Sequence, residues 1–129
     1  MRTQTEPITI FSAKAATGTG NKVLVSDYRH VMATLSSDTH ATFTIKFQMS
    51  DSVTAPDFAS AQSPTNLWDY VEVKDLQDGS AIDGDTGVAF TDDDVRRFEV
   101  NTNGQRWLCA TITNYTDGNI YLTATGFND

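Results

Sequence analysis

Val95-Arg-Arg-Phe-Glu-Val100, Asn101-Thr-Asn-Gly104, Arg106-Trp-Leu-Cys-Ala-Thr-Ile-Thr-Asn-Tyr115, Thr116-Asp-Gly-Asn119 and Ile120-Tyr-Leu-Thr-Ala-Thr-Gly-Phe127 make up the last third of the chain. Three runs alternate apolar and polar residues with period two, the signature of a strand with one face buried. Asn103-Gly104 and Asp117-Gly118 separate them, and both pairs tolerate the positive φ of a tight turn. The expectation is a C-terminal three-stranded antiparallel meander.

Upstream, Thr42–Met49 is the cleanest amphipathic run, with Phe43, Ile45, Phe47 and Met49 on one face and Thr42, Thr44, Lys46 and Gln48 toward water. Shorter strands are expected at Ile8–Phe11, Lys22–Val25, Tyr28–Leu35, Trp68–Val73, Ala81-Ile82 and Val88–Phe90, with a turn at Ser36–Thr39. No segment sustains a helical period, although Asp57–Ala61 has the composition for one helical turn. Eight or nine short strands with regular turn signals predict an all-β antiparallel β-sandwich, jelly-roll or immunoglobulin-like.

The chain has 129 residues, the size of one domain. Residues 1–7 are polar and Ala13–Asn21 is small and glycine-containing, and residues 1–20 as a whole read equally as an N-terminal arm or an edge strand. Residues 21–129 form the single sandwich domain. Ser50–Asn66, with Pro56 and Pro64, is a long loop of the kind that forms binding surfaces or subunit contacts.

Seventeen acidic residues against nine basic give a net charge of −8. Only Arg96 and Arg97 are adjacent cations, which argues against nucleic-acid binding. The chain opens on Met1-Arg-Thr-Gln-Thr-Glu6, without an apolar leader region, and has no run of eighteen apolar residues. Neither export nor a membrane partner is expected, and synthesis is placed in the cytoplasm. The lone Cys109 lies within an alternating run, where a buried thiol is the plain reading.

No Gly-x-Ser-x-Gly elbow, zinc spacing or phosphate loop is present, and no cofactor or catalytic residue is assigned. One candidate Ca2+ site is Asp83, Asp85 and Asp94, at the first, third and twelfth positions of a loop of EF-hand length. Gly87 at position five and Val88 at position six break that pattern, so the plain reading is a solvated turn. Trp68 and Tyr70, with Phe58 of the long loop, are the candidate binding residues, an aromatic platform for a glycan. Trp107 reads as a core residue whose indole N–H finds a partner at the rim.

Phe98-Glu99-Val100, the Asn-Gly turn, Arg106-Trp107-Leu108, Ala110–Thr113 and Ile120-Tyr121-Leu122, with the earlier Thr44–Ser52, resemble the small β-sandwich structural proteins of tailed bacteriophages. The likeness covers residues 42–127. It implies a non-enzymatic virion component: a capsid decoration (cement) protein bound to the major capsid protein as a homo-oligomer, a trimer first, or a minor tail or adaptor protein. The same pattern is similar to discoidin-like sugar-binding domains, which implies a carbohydrate-binding module for host adsorption. This chain is shorter than those modules and lacks their terminal cysteine pair.

Overall fold

A computed structural model describes residues 3–91 and 95–128, the side chains of Thr3, Thr39 and His40 aside. All regular structure in it is antiparallel strand. The strands are β1 (Thr3–Gln4), β2 (Ile8–Lys14), β3 (Gly18–Thr19), β4 (Val23–Leu24), β5 (His30–Ser50), β6 (Asp69–Tyr70), β7 (Val73–Asp75), β8 (Ala81–Ile82), β9 (Val88–Thr91), β10 (Val95–Asn101) and β11 (Trp107–Asn128). The all-β antiparallel class read from the sequence is what the chain adopts.

Two long strands dominate. β5 has 21 residues and β11 has 22, and they pair from Trp107↔Ser50 to Phe127↔His30. Three expectations are corrected here. Ser36–Thr39 lies inside β5 and is not a turn. Asp117-Gly118 lies inside β11 and does not close a hairpin. The C-terminal meander is replaced by a crossover, because β10 pairs with β5 and β7 while β11 pairs with β5 on its other edge. The two long strands also merge runs that read as separate short ones, while additional two-residue strands bring the count among the described residues to eleven.

Register explains the bend. Between Thr113↔Thr44 and Asp117↔Thr42, β11 advances four residues while β5 advances two. Between Asp117↔Thr42 and Asn119↔Asp38 the imbalance reverses. Two opposed bulges therefore cancel, and the original register resumes beyond them. Each long strand is thus divided into two halves with different neighbours. The half 30–38 of β5 lies between β10 and β11, with β7 and β8 continuing outward and β2 and β1 beyond β11. The half 41–50 lies between β11 and the short strands β9 and β6, with β3 and β4 beyond β11.

The same face stays inward through the bend. Val31, Ala33, Leu35, Ala41, Phe43, Ile45, Phe47 and Met49 of β5 are all buried, as are Leu108, Ala110, Ile112, Ile120, Leu122 and Ala124 of β11. The sheet therefore curls around one concave apolar face, and Phe47 of one half meets Phe98 of β10 at 6.1 Å between ring centroids. Each large side chain buried this way stabilises the fold by about 1.5–3 kcal/mol.

The curl brings both ends of β5 to residues 102–106. Thr102 donates its N–H to Arg29 O (3.0 Å), and Arg106 donates its N–H to Ser50 O (2.8 Å). The Asn103-Gly104 turn, with φ of 48° and 85°, is present as read, but it links the two halves of the curled sheet. β2 lies along the C-terminal half of β11, with Ile10 and Phe11 buried.

Candidate functional site

Most outward-facing residues of β5 and β11 meet water, but a cluster at one end of the sheet, Gln48, Ser50 and Cys109, does not. They are 1%, 2% and 1% exposed. Gln48 and Cys109 are cross-strand partners on the convex side, so burial there needs a cover. The cover is the long loop after β5, which folds back over this patch and inserts Phe58 (5% exposed). Ser50 Oγ donates to Leu67 O (2.5 Å) and Gln48 Nε2 to Phe58 O (2.9 Å), tying the loop to the strand.

Asn66 organises the loop from within. Its side-chain amide donates to Asp57 O (2.9 Å), Ser60 O (3.3 Å) and Ala61 O (3.0 Å), while its Oδ1 accepts from Asp57 N–H (2.9 Å). Asp57 caps the turn that follows, accepting from Ser60 Oγ (2.8 Å) and Ala59 N–H (3.0 Å). The Ser60 hydroxyl first, then the Ala59 amide, hold its carboxyl below the usual carboxylate range. Residues 57–61 form this capped turn in place of the expected helical one.

The three aromatic residues singled out in the sequence are brought together. Phe58 and Trp68 lie 6.3 Å apart at 50°, and Trp68 and Tyr70 lie 5.0 Å apart at 80°, an edge-to-face pair. The Trp68 indole N–H donates to Ser60 O (3.0 Å), which fixes its ring, and Lys46 Nζ sits 5.1 Å from the Tyr70 centroid. Phe58 acts as the buried anchor, while Trp68 and Tyr70 are half-buried. Beside them is a hollow of about 390 Å³, floored by Gln48 and Thr111 and walled by Phe58, Gln62, Trp68 and Tyr70. A second hollow of about 600 Å³ adjoins it at Thr19, Phe58 and Ala59 and reaches Cys109. Gln48 and Thr111 escaped the sequence reading, since a polar residue on an outward strand face reads as solvated. The one available signal is the 51–68 segment itself, which must lie against some face.

Two of the three Ca2+ candidates lie among the described residues. Asp83 Oδ2 accepts from Thr86 N–H (3.0 Å) and Thr86 Oγ1 (3.2 Å), capping its own turn. Asp85 is exposed, and Asp94 lies outside the described residues. Among the described residues no group of three His, Cys, Asp or Glu side chains is placed to hold a metal. Cys109 is buried as read, and desolvation pushes its thiol up to about 11. Trp107 finds its rim partner, donating its indole N–H to Ser52 O (3.0 Å).

No protein-family model matches this sequence, and no curated protein matches it. The fold does have a counterpart. The crystal structure of SPBc2 prophage-derived protein YomS is similar to this chain, with a TM-score of 0.70 and 14% sequence identity. The match covers 98% of this chain and 95% of that one, so the likeness is of whole architecture and not of a shared module. At this identity it is a likeness of fold.

Proposed function

We propose that this chain is a non-catalytic structural protein of a tailed-phage virion, a capsid decoration protein bound to the outer shell as a homo-oligomer. The observation that carries the reading is the end-to-end likeness of fold to a prophage-derived protein. The sequence resemblance of residues 42–127 to small virion β-sandwich proteins supports it independently.

Exposed apolar side chains supply the contact surface in this reading. Leu24 (53% exposed), Val53 (80%) and Leu67 (56%) lie near one end of the covering loop. Leu24 stands opposite Trp107, whose indole reaches Ser52, and Leu67 O receives the Ser50 hydroxyl. Scattered apolar residues need no explanation, but three around one loop end suit a subunit contact. The excess of acid keeps the free protein soluble and away from the packaged nucleic acid.

The test is quantitative mass spectrometry of purified particles. Hundreds of copies per particle are expected. A handful of copies, in multiples of three or six, would replace decoration with a tail or adaptor role, and absence from particles would overturn the virion reading.

A further inference from the structure

Gln48 is 1% exposed, yet only half of its amide is used. Nε2 donates to Phe58 O at 2.9 Å, which fixes the amide, since a flip would set two carbonyl oxygens face to face. Oε1 is then a buried acceptor with no partner within the protein. Such an atom is costly unless something donates to it, and Gln48 floors the hollow beside Trp68 and Tyr70. At about 390 Å³ the hollow lies in the size range of small-ligand sites.

The walls narrow the class of donor. Trp68 and Tyr70 meet at 80° and form a corner of two half-buried rings, a shape suited to the C–H face of a saturated ring. The remaining lining mixes hydroxyl and amide groups, from Thr19, Ser60, Thr111 and Gln62, with the apolar side chains of Phe58, Ala59 and Ala61, and none of it is charged. Lys46 Nζ over Tyr70 opposes a cationic ligand, and a net charge of −8 opposes an anionic one. A neutral ring rich in hydroxyl groups satisfies all of these conditions.

We propose that this hollow binds one neutral pyranose residue of a glycan, which stacks in the Trp68–Tyr70 corner, and that a small shift of the Gln48 side chain on binding opens Oε1 to a hydroxyl donor of the sugar. The site stands on local geometry and holds whether or not the chain decorates a virion. The experiment titrates the 15N-labelled full chain with methyl glycosides and short oligosaccharides of neutral hexoses and N-acetylhexosamines. The Gln48 side-chain amide and the Trp68 indole signals should move together with at least one sugar. Trp68→Ala and Gln48→Met should each weaken that binding about tenfold. Should Trp68→Ala fail to fold, Gln48→Met decides, with its folded state read from the same spectrum. No movement with any sugar overturns the proposal, as does unchanged affinity in Gln48→Met. Signals that respond only to an added protein partner would overturn it too, making the hollow a protein contact.

Discussion

Asn66 uses one short side chain to join four points of the covering loop, so its removal should be felt out of proportion to its size. Asn66→Ala strands the carbonyls of Asp57, Ser60 and Ala61, all near solvent, which moderates the loss. A destabilisation of about 1–2 kcal/mol is expected, together with faster exchange of the Asp57 amide hydrogen, measured by NMR. Asp57 adds an acid-sensitive part to the same loop. Its folded pKa is depressed, so its stabilising contribution is present above the unfolded value and lost as pH falls through the folded one. Cys109 behaves in the opposite sense. Burial raises its pKa from 9.0 to about 11, so the folded chain keeps a proton that the unfolded chain has released. That contribution is complete below pH 9.0 and disappears as pH rises through about 11. The native thiol should therefore resist alkylation at pH 8 and react once the chain is unfolded in denaturant. Rapid labelling of folded protein would show that the loop does not seal the convex face.

At the scale of the element, the paired bulges in β5 and β11 decide the architecture. Asn114 (φ 53°) and Gly118 (φ 85°) supply the left-handed backbone there, and Asn119 N–H and Thr116 Oγ1 bond across to Asp38 Oδ1 (2.9 Å) and Thr42 O (3.1 Å). Gly118→Ala should cost about 1–2 kcal/mol, read from chemical denaturation, because a Cβ is strained at that φ. Asn114→Gly should be close to neutral. An effect of the same size at both positions would mean that side-chain contacts, and not backbone conformation, hold the bend. This is also where the sequence was least legible. Asp117-Gly118 announces positive φ, which a hairpin turn and a bulge share, and nothing local tells whether the chain reverses or merely bends. Alternation was legible because it is a property of one strand, and the inward faces of β5 and β11 follow it through the bend. Partner choice was not, because β10 and β11 both pair with β5 across contacts remote in sequence. The candidate site divides the same way. Trp68, Tyr70 and Phe58 stood out by type and by their place around the long loop, whereas Gln48 and Thr111 became part of a floor only once that loop was laid over them.

Over the whole molecule, the curled sheet has one edge whose closure depends on the N-terminal residues. β2 is held between β11, which it pairs from Ile8↔Ala124 to Lys14↔Ile120, and the 20–21 segment, where Asn21 N–H donates to Ile10 O (3.0 Å). The fit at Gly20 is close: a Cβ there would lie 2.6 Å from Ile10 O and 2.8 Å from the Phe11 ring. Ile10 and Phe11 are 1% and 3% exposed, so removing them withdraws two core side chains, about 3–6 kcal/mol together. That is a large part of the roughly 5–15 kcal/mol that stabilises a typical domain. β1, by contrast, contributes a two-residue pairing, Thr3↔Asn128 and Gln4↔Phe127. Deleting residues 1–4 should shift the urea midpoint only slightly, whereas deleting residues 1–12 should abolish cooperative unfolding or lower the midpoint severely. If the longer truncation unfolded at the midpoint of the intact chain, β2 would be a detachable arm, free to dock on a neighbouring subunit. If it fails to fold, any contact between subunits must be made by surfaces outside this strand, and the apolar residues around the covering loop become the place to mutate.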